Sequence, residues 1–353
     1  MALFACYSVL LSRRNALPFP WWFPTILLSV PEDSNPRLMD SILDAIGNTP
    51  LVALDRMRAA AGVEPRVFAK LEYFSPGGSI KDRAALKILE DAEKSGRLRP
   101  GQMVVELTSG NMGIGLAVAC AIKRYPFTAV MSAGNSRERW RIMKALGARV
   151  VLVPQAKGGV PGQVTGDDLK LAEKRAEALT RKLHAFRVDQ FNNPSNPAAH
   201  REGTGEEIWR QTKGAVNNFV AIAGTSGTFI GTSASLKAHD PDVKCYVVEP
   251  ARARVLAGKR VESQKHKLQG AGYALFPKVW DAALCDGYLG VTDSEAVRAA
   301  RLLARKEGIL GGFSGGANVA ASFKLARRLG RDDVIVTVVP DTGLKYLSTD
   351  LFP

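Results

Sequence analysis

Apolar positions between Ile42 and Phe352 follow two alternating rhythms. Short, nearly unbroken apolar runs at 103–107, 127–132, 149–153, 218–223, 244–248 and 334–339 read as strands buried on both faces. Between them lie stretches of helical period. In 82–98, Ala85, Leu86, Leu89 and Ala92 share a face, charges fill the rest, and Pro100-Gly101 supplies a stop. Similar stretches span 113–122, 136–146, 167–183 and 294–307, and others follow Thr228 and Ser314. Repeated strand, turn and helix units predict an α/β protein with mainly parallel sheets covered by helices on both faces. In such sheets ligands sit at the carboxyl ends of strands, where turns open into helices. The run Phe191-Asn-Asn-Pro-Ser-Asn-Pro197 is turn chemistry and marks a break near Gln190, giving an N-terminal domain 41–190 and a C-terminal domain 191–353.

Residues 1–40 break this rhythm. Trp21 and Trp22 sit among Pro18, Pro20 and Pro24, and the apolar run 25–30 is far too short to cross a bilayer. Arg13 and Arg14 ahead of apolar residues, with no acid before Glu32, fit an organellar targeting peptide. The plainer reading is an extension with no fold of its own and a working protein that starts near Met39. The rest has the composition of a soluble chain, and its charge poses one question. Lys and Arg number 48 against 34 Asp and Glu, a formal net charge of +14. Those basic residues are spread along amphipathic helices and do not gather in a stripe with aromatics, which argues against nucleic acid and for an enzyme of small anions. Cys6, Cys120, Cys245 and Cys285 are too widely spaced for a disulfide framework or a Cys-x-x-Cys site, and fit a reducing cytoplasm. His184, His200, His239 and His266 form no ligand-type pair, so no metal is expected.

Four glycine-rich turns carry the candidate chemistry: Ser79-Ile-Lys81, Thr108-Ser-Gly-Asn-Met-Gly113, Gly224-Thr-Ser-Gly-Thr228 and Gly312-Phe-Ser-Gly-Gly316. The third follows an apolar strand and opens a helix, so backbone N–H groups and hydroxyls would converge on a small anion such as a phosphate. No Gly-Lys-Ser/Thr follows it, and no Gly-x-Gly-x-x-Gly follows any strand, so nucleotide and dinucleotide fingerprints are both missing. In the first, Pro76-Gly-Gly78 leads into a helix beginning near Ile80, with Ser79 as its N-cap and Lys81 in its first turn. A helix N-terminus disfavours an ammonium and pushes it toward the neutral, nucleophilic amine. The competing reading is an ordinary solvated lysine after a turn.

Taken in order, these turns and their neighbours resemble the cysteine synthase (O-acetylserine sulfhydrylase) family of pyridoxal-phosphate-dependent enzymes over residues 42–352. The motifs are Ile46-Gly-Asn-Thr-Pro-Leu51, Pro76-Gly-Gly-Ser-Ile-Lys-Asp-Arg83, Thr108 through Gly115, Gly224 through Thr228 and Val248-Glu-Pro250. His266-Lys-Leu-Gln-Gly270, Glu307-Gly-Ile309, Gly312 through Ala317, and Pro340-Asp-Thr-Gly343 with Tyr346-Leu-Ser-Thr349 complete the series. The resemblance implies fold type II, the tryptophan synthase β-like arrangement of two three-layer domains, with pyridoxal 5'-phosphate as cofactor. It implies that Lys81 forms the Schiff base, that Asn111 bonds the ring 3-oxygen, and that Gly224, Thr225, Ser226, Gly227 and Thr228 hold the phosphate. Ser314 would face the pyridine nitrogen, and Ser109, Asn111, Met112 and Gln190 would surround the substrate carboxylate. A serine there, unlike an aspartate, leaves the cofactor a moderate electron sink, which suits elimination at Cβ better than transamination.

The implied reaction is β-replacement on O-acetylserine or O-phosphoserine by sulfide or another small nucleophile, giving L-cysteine in two half-reactions with Lys81 moving the Cα proton. The family is commonly homodimeric. Alternatives are cystathionine β-synthase, another β-replacement or elimination enzyme of this fold, and a cofactor-binding regulator without activity; the presence of both Lys81 and Asn111 argues against the last. Met112 stands where the family usually has threonine, Ser226 and Gly315 replace a glycine and a serine, and 270–276 departs from the usual glycine pattern. These departures lie toward the substrate, so the sequence speaks more clearly on cofactor and reaction type than on donor and nucleophile.

Overall fold

The computed structural model describes residues 38–108, 110–160, 164–273 and 276–352; the expectations for residues 1–37 and for Ser109 fall outside it. Strand β1 (Leu51–Ala53), helix α1 (Asp55–Ala61) and strand β2 (Arg66–Leu71) lead into α2 (Lys81–Lys94). There follow β3 (Val104–Leu107), α3 (Asn111–Lys123), β4 (Phe127–Ser132), α4 (Arg137–Ala145), β5 (Arg149–Val153), α5 (Gly166–Leu183) and β6 (Phe186–Arg187). Next come α6 (Ser195–Ala199), a π-helical turn His200–Gly205, α7 (Glu206–Gln211), β7 (Asn218–Ile222), α8 (Gly227–His239) and β8 (Lys244–Pro250). The chain then forms β9 (Gly287–Val291), α9 (Asp293–Glu307), α10 (Phe313–Ala326) and β10 (Val334–Val339).

The strands make two sheets, in the orders β5-β4-β3-β6 and β1-β2-β10-β7-β8-β9. Every pairing is parallel except β1 with β2. Alternate residues of each strand feed opposite cores, as the two-residue period of a pleated strand requires. Phe127, Ala129 and Met131 of β4 pack with α2, α3 and α4, while Val130 packs with α5. In the larger sheet Ile335 and Val339 of β10 pack with α9 and α10, and Val336 and Val338 face Phe229 and Leu236 of α8. Each sheet is thus the middle of three layers.

The sheets do not divide the chain at one point. β1 and β2 precede Lys81 yet belong to the larger sheet, because β2 pairs along its whole length with β10, Arg66 opposite Val334 through Leu71 opposite Val339. A buried ion cluster holds the same N-terminal stretch. Arg83 of α2 donates to both carboxylate oxygens of Glu72 and of Glu207, and Lys70 donates to Glu207 at 2.6 Å, Gln211 at 2.8 Å and the Thr49 carbonyl. Fully paired in this way, charges that would be costly alone become a clamp between 49–83 and α7.

Two local expectations need correction. Helix α2 starts at Lys81 with Ile80 in the cap position, and Ser79 sits one residue too early, its hydroxyl accepting only a long 3.4 Å bond from the Lys81 N–H. Ser79 instead bridges to Asp341 as a strand-like contact. Strand β9 was not expected because Gly287 and Gly290 weaken its pattern; pairing along β8 supplies what propensity lacks.

Candidate active site

The carboxyl ends of β3, β7 and β10 open on one cleft. Its walls include Lys81, Asn111, Met112, Gln190, Gly224, Thr225, Ser226, Thr228 and Ser314, so residues read from four separate turns converge. Gly227 lies at the same helix end as the first residue of α8.

Lys81 is poised by burial. Removal from water holds its amine down from 10.5 to about 8, and the nearby Asp341 carboxylate only partly opposes this. The lowering expected for a helix N-terminus is therefore present, with desolvation as its main cause. Asn111 begins α3, the loop before it held by Thr108, whose hydroxyl accepts from the N–H groups of Gly110 and Gly113 at 2.9 Å. The Asn111 amide donates to Asp341 Oδ2 at 2.7 Å and accepts from Lys345 Nζ at 3.1 Å. Met112 is 2% exposed and packs into the core of the smaller sheet while lining the cleft.

The turn into α8 is shaped for a small anion. Ser226 has φ +64°, the left-handed region natural to the glycine it replaces, and its buried Oγ has no hydrogen-bond partner among the described residues. A Cβ on Gly224 would lie 2.3 Å from the Gly270 carbonyl oxygen, and one on Gly227 would lie 2.2 Å from Asn196 Oδ1. The backbone is thus pressed against its supports, and the first turn of α8, whose N–H groups have no partner within a helix, lines the cleft. Asn196 also donates to Thr225 Oγ1 at 2.9 Å and to the Gln190 carbonyl at 2.8 Å, tying two parts of the site together. Thr228 Oγ1 pairs with His200 Nε2 at 3.3 Å, and burial together with the cations Lys81 and Arg83 keeps that imidazole well below its ordinary pKa. Ser314, on the first turn of α10, is 8% exposed.

Gln190 is set by a second buried carboxylate. Glu106 of β3 accepts from the N–H groups of Asp189 and Gln190 and from Arg187, and the Gln190 side chain donates to the Leu107 carbonyl at 2.8 Å. Sequence reasoning missed the support groups Asn196, His200, Asp341 and Lys345. Asp341, Lys345 and Tyr346 lay inside or beside the Pro340-Asp-Thr-Gly343 motif, which was the available signal. Phe191 and Tyr273 also line the cleft, with ring centroids 6.0 Å apart in an edge-to-face contact.

An amine of lowered proton affinity, an anion-binding helix end, an amide and a buried serine hydroxyl match the four parts of a phosphorylated pyridine aldehyde. Residues 42–341 match the family described as pyridoxal-phosphate dependent enzyme, and the chain belongs to it, within the cysteine synthase-like group of fold type II. Pyridoxal phosphate is its cofactor. The chain is 40% identical over 316 residues to O-ureido-L-serine synthase of Streptomyces lavendulae, covering 89% of this chain and 93% of that one. It is 39% identical over 315 residues to a cysteine synthase of Staphylococcus aureus, covering 89% and 97%. The crystal structure of O-acetylserine sulfhydrylase isoform 3 from Entamoeba histolytica superposes with a TM-score of 0.81 at 37% identity, covering 90% of this chain and 92% of that one.

Proposed function

We propose that this protein catalyses β-replacement on an O-activated L-serine, with O-acetyl-L-serine as donor and sulfide as nucleophile, giving L-cysteine. The observation that carries the reading is Lys81, an amine lowered to about 8 beside the N-terminus of α8. In this reading Lys81 holds the cofactor's aldehyde carbon and Asn111 bonds the ring 3-oxygen. Gly224, Thr225, Ser226, Gly227 and Thr228 hold the phosphate, and Ser314 faces the pyridine nitrogen. When bound, the cofactor withdraws electrons from the substrate Cα. Released from it, Lys81 takes the Cα proton and later returns it, and a pKa near 8 keeps both its forms populated at neutral pH. The backbone of Met112 and the side chain of Gln190 flank the substrate carboxylate in this reading.

The choice of donor rests on charge. Lys81 is the one cation among the described residues lining the cleft, and Asp341 adds an acid there. A second phosphate dianion, beside the one held at the start of α8, calls for added positive charge, whereas an acetyl ester is neutral. A second reading keeps the donor and changes the nucleophile: the name of the Streptomyces relative gives a product with an O-linked urea on serine, and Met112, in place of the family's usual threonine, lines the cleft with Tyr273. The reading also takes the protein as a cytoplasmic homodimer of two domains, the break near Gln190 separating the smaller sheet from β7–β10 while β1 and β2 join the larger one. Cys120, Cys245 and Cys285, all free, support a reducing compartment, and among the described residues no helix is long and apolar enough to cross a membrane.

The test is a screen of the cofactor-loaded protein with O-acetylserine, O-phosphoserine and serine against sulfide, homocysteine and hydroxyl nucleophiles, with products identified by mass spectrometry. Cysteine formed fastest from O-acetylserine, with ping-pong kinetics, is the expected result. A higher kcat/KM for an oxygen nucleophile would replace it with the second reading, and no turnover of any serine derivative would end both.

A further inference from the structure

Lys345 is the second buried lysine at this site, 3% exposed in the short turn Gly343–Tyr346 that follows β10. Its ammonium donates to the carbonyls of Gly77 at 2.8 Å and Gly78 at 3.1 Å and to Asn111 Oδ1 at 3.1 Å. None of these acceptors is a carboxylate. An ammonium with three donors and no acceptor therefore spends itself on groups that belong to the two turns meeting at the cleft.

The consequence for Asn111 is geometric. Because Lys345 only donates, the amide oxygen must face it, and the amide nitrogen is left on the other side, where one of its two hydrogens goes to Asp341 Oδ2 at 2.7 Å and the second remains for a ligand in the cleft. Asp341 is itself held by the Tyr346 hydroxyl at 2.6 Å, and Tyr346 accepts from Arg139 at 2.7 Å, all three side chains being at most 1% exposed. The carbonyls of Gly77 and Gly78 belong to the turn three residues before Lys81. The adjoining Ile80 N–H bonds the Pro340 carbonyl at 2.8 Å and the Thr342 N–H bonds the Gly78 carbonyl at 3.3 Å, so the segment after β10 grips this turn by its backbone as well as through Lys345.

We propose that Lys345 is a positioning residue of the cofactor site: by holding Asn111 Oδ1 and the Gly77 and Gly78 carbonyls at once, it fixes the amide donor toward the cofactor ring in register with Lys81. The proposal rests on the reading of Asn111 as the ring-oxygen donor. Without the cation the amide is oriented by its bond to Asp341 alone, and its oxygen, left without a donor, loses the hold that keeps it off the ring oxygen, which it would repel.

The test compares wild type with K345M, K345R, N111A and the double variant N111A/K345M, with K345Q as a shorter, uncharged substitute. Pyridoxal phosphate affinity is read by fluorescence titration, and the ratio of the bound cofactor's two absorption bands reports the environment of its 3-oxygen. Far-UV circular dichroism reports folding. K345M should weaken cofactor affinity about tenfold and move the band ratio in the direction that N111A moves it, while K345R restores most of both. The double variant should bind within about threefold of N111A alone, since both changes remove one interaction. Affinity within twofold of wild type and an unmoved band ratio in K345M would overturn the proposal, and so would losses that multiply in the double variant. If K345M does not fold, K345Q is held to the same outcomes, and failure of both to fold would overturn the proposal in favour of a purely structural cation. If N111A itself leaves affinity and bands unchanged, the reading of Asn111 fails, and the proposal with it.

Discussion

At the scale of single residues the site depends on how far its surroundings move a proton. Lys81→Ala should abolish covalent retention of the cofactor under borohydride and lower turnover by about three orders of magnitude or more, with the far-UV spectrum unchanged. The rate at which apoprotein takes up cofactor should rise about tenfold per pH unit up to about pH 8 and then level, because only the neutral amine attacks; stopped-flow absorbance measures it. A rise that continues past pH 10 before levelling would show an ordinary exposed lysine. Ser226→Gly should stabilise the protein by about 0.5–1 kcal/mol, read in denaturant, because the left-handed angle at φ +64° suits glycine. Lys81 was legible in the sequence because a glycine turn opening a helix is a local pattern. The cause of its lowered pKa was not, since burial is completed by cleft walls such as Asn111 and Ser314, which arrive from distant parts of the chain.

At the scale of elements, three strands ran from the first to the last residue that the apolar pattern gave: 127–132, 149–153 and 334–339. All three are apolar runs in parallel sheets with a covering helix, so pattern and environment agree. β9, β6 and the short α6, α7 and intervening π-helical turn escaped because their sequences are glycine-bearing or only a few residues long, and neighbours stabilise them. That tight α6 region matters for binding. Gly227→Ala would drive a methyl into Asn196 Oδ1 at 2.2 Å, and Asn196 holds both Thr225 and Gln190. We expect this variant to fold, to lose at least tenfold in pyridoxal phosphate affinity and to raise KM for the serine donor, all measurable by titration and steady-state kinetics.

At the scale of the whole molecule, the clamp of Lys70, Glu72, Arg83 and Glu207 joins the stretch before Lys81 to α7. Losing one partner leaves buried charge behind, so Glu207→Ala should cost about 3–5 kcal/mol in urea unfolding. The Arg83 and Lys70 cations hold the Glu207 carboxyl down from 4.5 to about 2, overcoming its burial. A depressed carboxylate stabilises the native state above its unfolded pKa, and that contribution is lost as pH falls from about 4.5 through about 2. The acid limb of the wild-type stability curve should therefore be steeper than that of Glu207→Gln. None of this clamp was visible in the sequence, where its members read as scattered charges. Finally, β2 waits for β10, its partner 268 positions later, since Arg66 lies opposite Val334. At about 5–20 residues per second a ribosome delivers that partner tens of seconds after the first strand emerges. During synthesis the nascent strands before Lys81 would stay open to chaperones, and that lysine would gain its chemistry only once β10 has been made.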